Sequence, residues 1–310
     1  MIAIGIVILL GAIVVGYHQT SSAEENPEIA LVMKSLANEF FLTMEQEARE
    51  HQERHGSYTL VANGIRNESD IMGQVRIVEN MIAQDVDAII IAPADSRALI
   101  PVSARAIDAG IVVVNIDNRL DQEILEARNL DIPFVGPDNR KGAQKVGSYL
   151  AQRLEPGDPV AIIEGIPTAY NSQERVRGFS EAFEERGLDI VEIRTAEWDM
   201  ERANVVATSL LNEFPGLRGI ACANDSMALG VVAAVKAAGK SESILVVGFD
   251  NISAVQEMLA AGEILATADQ YGGDLAVFGI EFALKLLAGE ETVDDRETPV
   301  ELVTPESVRQ

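Results

Sequence analysis

GIACANDSMALGVVAAVKAAGKSESILVVGFDN, residues 219–251, decides the fold. Gly219 to Ala223 is a short apolar run, Met227 to Ala238 is rich in helix formers and stopped by Gly239, and Ile244 to Phe249 is a second apolar run. Apolar strands that do not alternate with polar residues are buried on both faces, as in a parallel sheet covered by helices. Each run ends in a polar residue, Asn224 in the first and Asp250 in the second, and the next run, LATADQ, ends in Gln270. In an open parallel α/β sheet, ligands bind outside the carboxyl ends of the strands. Three strands therefore deliver an amide, a carboxylate and an amide to one edge. That set suits a hydroxyl-rich small molecule and contains no good nucleophile, which points to binding rather than catalysis.

The same alternation runs outward from this segment. Upstream, strands are expected at Ile29 to Met33, Thr59 to Ala62, Ala88 to Ala92, Ile111 to Ile116, Val160 to Gly165 and Ile190 to Thr195. Helical spacing fills the intervals, as with Ile71, Val75, Val78 and Ile82, and a loop leads from Ile116 to FVG at Phe134 to Gly136. Downstream, helices are expected over Ala254 to Ala261 and Leu275 to Ala288, with strands at Ile264 to Ala268 and Val300 to Val303. A chain of 310 residues is too long for one ordinary core. The pattern predicts an α/β protein of two doubly wound, parallel-sheet (Rossmann-like) domains.

With 49 acidic against 24 basic residues, the formal charge is -25. A surface that tracks phosphates needs clustered Lys and Arg, so the composition argues against a nucleic-acid partner and fits a solvated acidic surface. Cys222 is the single cysteine, in an apolar run, and reads as a buried inert thiol. Ile2 to Val15 is almost wholly apolar and Ser21-Ser22-Ala23 is a cleavage-like triplet, so residues 1–23 read as a secretion signal or an uncleaved membrane anchor. Either would export the rest of the chain. No Lys or Arg precedes the apolar stretch, and no cysteine near the triplet offers a lipid attachment point.

Candidate site residues lie at the other strand ends. Lys34, Asn38, Phe40 and Phe41 follow the first strand; polar groups beside paired aromatics suit a sugar, and they equally suit a capped helix start with two core aromatics. Asp117 and Arg119 in NIDNR can grip hydroxyls or form a surface ion pair. Arg175 stands early in a helix, and Trp198, the only tryptophan, sits among polar residues in AEWD. His51 and His55, four apart on a helix expected to be exposed, lack a third ligand for a metal. No Gly-rich phosphate loop or GxSxG elbow is present, and no cofactor is expected.

From about Glu28 to the carboxyl end, the ordered set KSLANEFF, APADS, VNIDNRLD, PDN, AIIEG, ERVRGF, AEWD, CANDSMALG, VVGFD and ATADQ resembles the ribose/allose/galactose group of periplasmic sugar-binding proteins, the solute receptors of ABC importers. The resemblance is closest to the allose type, which also carries a Lys at the position of Lys34. It implies a pocket of Lys34, Asn38, Phe40, Phe41, Asp117, Arg119, Arg175, Trp198, Asn224, Asp250 and Gln270, a monosaccharide or polyol ligand, a monomer, and an ABC permease as partner. It also implies two lobes, 28–137 plus 271–299 and 138–270 plus 300–310, joined by a three-segment hinge. Ribose-type members have Arg directly after the aspartate, whereas here Asn118 intervenes; Ala92 and Pro137 also depart from that type, which favours a hexose, polyol or inositol over ribose. Two alternatives share the core: a sensor presenting its closed form to a membrane receptor or kinase, and a lactose-repressor-like regulator, for which the short apolar segment before Glu28 offers no DNA-binding domain.

Overall fold

A computed structural model describes residues 26–290 and 294–308; the leader 1–23 lies outside them. The first lobe opens with β1 (Glu28–Ser35), α1 (Glu39–His55), β2 (Thr59–Ile65), α2 (Ile71–Ala83), β3 (Ala88–Ile91), α3 (Ile100–Asp108), β4 (Val112–Ile116), α4 (Gln122–Ala127) and β5 (Phe134–Pro137). Ile29 through Met33 are fully buried, as a strand between two helical layers must be. β1 lies centrally, with Ile29 opposite Leu60 of β2 on one side and Ala88 of β3 on the other, all parallel.

The second lobe repeats the plan with α5 (Asn139–Ala151), β6 (Pro159–Glu164), α6 (Tyr170–Arg186), β7 (Asp189–Thr195), α7 (Met200–Glu213), β8 (Gly219–Cys222), α8 (Asp225–Ala237), β9 (Leu245–Val247), α9 (Ser253–Ala261) and β10 (Thr267–Asp269). The chain then returns to the first lobe as α10 (Gly272–Leu287), which packs on α1 and β4, and as β11 (Arg296–Thr298). It ends with β12 (Glu301–Val303) and α11 (Pro305–Val308) beside the second lobe. The sheet orders are β11-β5-β4-β3-β1-β2 and β7-β6-β8-β9. Both contain the doubly wound order in which the direction of winding reverses beside the first strand, and a ligand crevice opens at that point. The two crevices face each other.

Four elements differ from the sequence expectation. The segment after Ile116 is not all loop: Asp121 caps the short helix α4 by accepting from Ile124 N at 3.2 Å. β2 continues past Ala62 to Ile65 because Asn63 and Gly64 pair with Val32 and Met33, tertiary pairing overriding poor strand propensity. β11 is supplied by pairing with the edge strand β5, Arg296 opposite Val135. The run from Ile264 touches β9 through a parallel bridge, Val247 to Ala266, and then pairs antiparallel with β12, Thr267 opposite Val303, so the last strand is not part of a parallel sheet. Among the described residues no helix is long and apolar enough to cross a membrane.

Candidate functional site

Lys34 is the second-last residue of β1, where the strand runs into the crevice. It is 3% exposed, and its Nζ stands 2.8 Å from Asp117 Oδ2, 5.5 Å from the centre of the Phe41 ring and 5.7 Å from that of Trp198. Asp117 follows β4 with φ 60°, a left-handed backbone that Asp tolerates better than most residues. Asn38 does three jobs. Its Oδ1 caps α1 by accepting from Phe40 N at 3.1 Å and accepts from Ser226 Oγ of the other lobe at 3.4 Å, while its Nδ2 donates to Glu68 Oε1 at 3.1 Å. Phe40 and Phe41 pack edge to face at 5.1 Å. Gly272 allows this wall to form: a Cβ there would lie 2.4 Å from the Phe40 ring.

From the second lobe, Arg175 reaches in from α6. Its Nε donates to Asn139 Oδ1 at 2.8 Å, its Nη1 donates to Ala223 O at 2.8 Å, and the same Nη1 stands 3.4 Å from Asp250 Oδ1. Phe249 lies 3.8 Å beneath the guanidinium. Gln270 Nε2 donates to Asp250 Oδ1 at 2.6 Å. Asn224 caps α8, accepting from Met227 N at 2.9 Å, and its Nδ2 reaches Trp198 O at 3.5 Å. Trp198 has φ 67°, a genuine outlier for a bulky residue. Its ring lies directly over Gly165, where a Cβ would stand 2.1 Å from ring atoms.

These side chains line a small void between the lobes. Ten of the eleven residues expected from sequence line it, together with Glu68 and Asn171. Arg119 does not: it pairs with Asp295 and lies 4.5 Å over the Phe134 ring, outside the void. The intervening Asn118 turns inward instead, fully buried, which directs Arg119 to the outer face. His51 is also corrected. It is buried rather than exposed, and its Nδ1 meets Tyr58 Oη at 2.8 Å, so it is committed to packing.

Glu68 was legible by the rule that found the others, since it lies just past a strand end, in RNESD after β2, whereas Asn171 lies seven residues past β6, at the start of α6. Expecting β2 to end at Ala62 hid the first. The aromatic faces of Phe40, Phe41 and Trp198 enclose a polar ring of two cations, three carboxyls and amides. Burial pushes the Asp250 carboxyl well up and the Arg175 guanidinium down, and each opposes that push on the other. Asn171 Oδ1, Trp198 Nε1 and Gln270 Oε1 are buried without a hydrogen-bond partner among the described residues. Unpaired buried polar atoms cost free energy, so a lining that keeps three is built for a ligand with donors and acceptors of its own. Cys222 packs under this edge, fully buried, its thiol pushed up by desolvation.

Residues 29–291 match the model of the periplasmic binding protein domain. The chain is 56% identical to the D-ribose/D-allose-binding protein of Pseudomonas aeruginosa over 285 residues, covering 90% of this chain and 89% of that one. Solved structures are similar as well. An ABC transporter solute-binding protein from Burkholderia multivorans, with an unknown ligand represented as α-D-erythrofuranose, superposes with TM-score 0.88 at 54% identity, covering 90% of this chain and 99% of that one. One from Actinobacillus succinogenes with bound D-allose superposes with TM-score 0.86 at 37% identity, covering 91% and 99%. The chain belongs to the periplasmic binding protein family, and its two parallel-sheet domains have that family's fold.

Proposed function

We propose that the chain captures a monosaccharide between its lobes outside the cytoplasm and presents it, unaltered, to the permease of an ABC importer. The observation that carries this reading is the void itself: aromatic faces on one side, a ring of charged and amide groups around it, and three buried polar atoms awaiting partners. Sugar C–H faces pack on rings while their hydroxyls both donate and accept. The sugars of the relatives, D-ribose and D-allose for one and D-allose for another, support a pyranose-sized solute. Lys34, Asn38, Asp117, Arg175, Trp198, Asn224, Asp250 and Gln270 supply the polar contacts, and Phe40 and Phe41 the stacking wall.

The lobes 28–137 plus 271–299 and 138–270 plus 300–310 act as the moving bodies, turning about the three crossings near Pro137 to Asn139, Gln270 to Gly272 and Pro299 to Glu301. Sugar enters the open form, and hydrogen bonds from both lobes favour the closed one, by as much as the ligand's differential affinity for the two states. The receptor works as an exported monomer. A thermal-shift screen of residues 24–310 against pentoses, hexoses, polyols and inositols tests the reading. A true ligand at 100 times its dissociation constant adds about 2.7 kcal/mol and raises the melting temperature. No shift across the panel sinks the proposal.

A further inference from the structure

The charges around the void do not balance if every carboxyl is ionised. Lys34 is matched by Asp117 and Arg175 by Asp250, at 2.8 and 3.4 Å. Glu68 is the third carboxyl. It is 8% exposed and has no ion-pair partner among the described residues. Its one hydrogen bond is from a neutral donor, Asn38 Nδ2, to Oε1, which leaves Oε2 open to a ligand. Glu68 also stands where the void meets a wider groove between the lobes, so it lies on a ligand's path as well as in its pocket.

We infer that Glu68 contacts the bound sugar as a neutral carboxylic acid, donating its O–H to a sugar oxygen, so that binding requires this residue to hold a proton. The inference rests on the sugar-binding reading above. A neutral ligand brings no cation to offset a third carboxylate, and an isolated buried charge is costly. Burial points the same way. It pushes the Glu68 carboxyl up to about 7; Lys34 and the Asn38 hydrogen bond pull against that, and Asp117 adds to it. On the groove side, Arg66 is the nearest cation in sequence, Arg202 is engaged by Glu197, and Asp199 and Glu201 add negative charge. A sugar filling the void removes remaining water from Glu68, which favours the neutral form further.

The competing arrangement, an ionised Glu68 accepting from a sugar hydroxyl, has the opposite sign. Protonated Glu68 makes affinity fall as pH rises through 7 and makes binding take up a proton; ionised Glu68 makes affinity rise and releases one. The test is titration calorimetry of D-allose and D-ribose into the chain from pH 5.5 to 8.5, in buffers of different ionisation enthalpy. Affinity should drop about tenfold between pH 6 and pH 8 with net proton uptake. Glu68→Gln, which offers N–H in place of O–H, should remove the slope. In the free chain, ¹³C NMR of Glu carboxyls should show one group titrating near 7 that is lost in Glu68→Gln. A flat profile, a rise with pH, proton release, the same slope in the variant or no such carboxyl overturns the inference while leaving sugar binding intact. Failure of both sugars to bind at every pH overturns the sugar reading as well.

Discussion

Asp117, Trp198 and Asp250 hold positive φ values of 60°, 67° and 127°, and all three line the void. Backbone strain of this kind persists only where the surroundings over-determine it, and it collects at binding sites. Trp198 shows how it is held, since its ring rests on the bare Cα of Gly165. Gly165→Ala should therefore displace the ring without touching the ligand. Overpacking costs about 1–3 kcal/mol, and where it falls on the liganded state the dissociation constant rises about 5- to 150-fold; unchanged affinity by calorimetry would remove Trp198 as a wall of the site. Asp250→Ala should abolish sugar binding and, by leaving Arg175 buried without its counter-charge, lower unfolding free energy by about 3–5 kcal/mol in a denaturant titration. Residue identity was readable where a polar side chain ended an apolar run, as at Asn224, Asp250 and Gln270. It was misleading at Arg119, because one residue's rotation along the turn decides whether a side chain faces the void or Asp295, and sequence order does not encode that rotation.

Asn224 shows a side chain serving its helix and the pocket together. It caps α8 through Met227 N while it lines the void. The two roles separate by substitution. Ser is as good a cap as Asn, so Asn224→Ser should keep stability within about 0.5 kcal/mol, whereas Asn224→Ala should lose about 1 kcal/mol. Both should weaken sugar binding, because neither retains the amide. Equal stability of the two variants in urea would show that the cap contributes nothing. Elements such as β8, α8 and β9 were legible because their apolar runs are continuous and Gly239 ends the helix. α4 and β11 were not. The first is six residues, and the second is three residues, Arg-Glu-Thr, whose strand state comes from β5 and from no propensity of its own. Short elements made by pairing or by a single cap carry too little local pattern to be read ahead of the fold.

The lobes also touch each other directly, without help from a ligand. Tyr170 N donates to Ser96 Oγ at 2.9 Å, Asn171 N donates to Asn118 Oδ1 at 3.1 Å, and Ser253 N donates to Glu39 Oε1 at 2.9 Å. Ser96 Oγ in turn donates to Asn118 Oδ1 at 3.3 Å, so the first two contacts form one small network across the cleft. Asn118, the residue that stands between Asp117 and Arg119, thus contributes to closure and not to the pocket lining. Contacts present only in the closed state set how much of the free chain is already closed, and apparent affinity scales with that fraction. Ser96→Ala removes the acceptor of Tyr170 N. At about 1 kcal/mol for a hydrogen bond, the closed state weakens by roughly fivefold against the open one. The dissociation constant should rise by up to about that factor, although Ser96 does not line the void, and the free chain should show a larger radius of gyration by small-angle X-ray scattering. The ligand-saturated chain should keep the wild-type radius. A Ser96→Ala chain with wild-type affinity and wild-type dimensions when free would mean that the sugar alone carries closure and that the contacts across the cleft merely follow it.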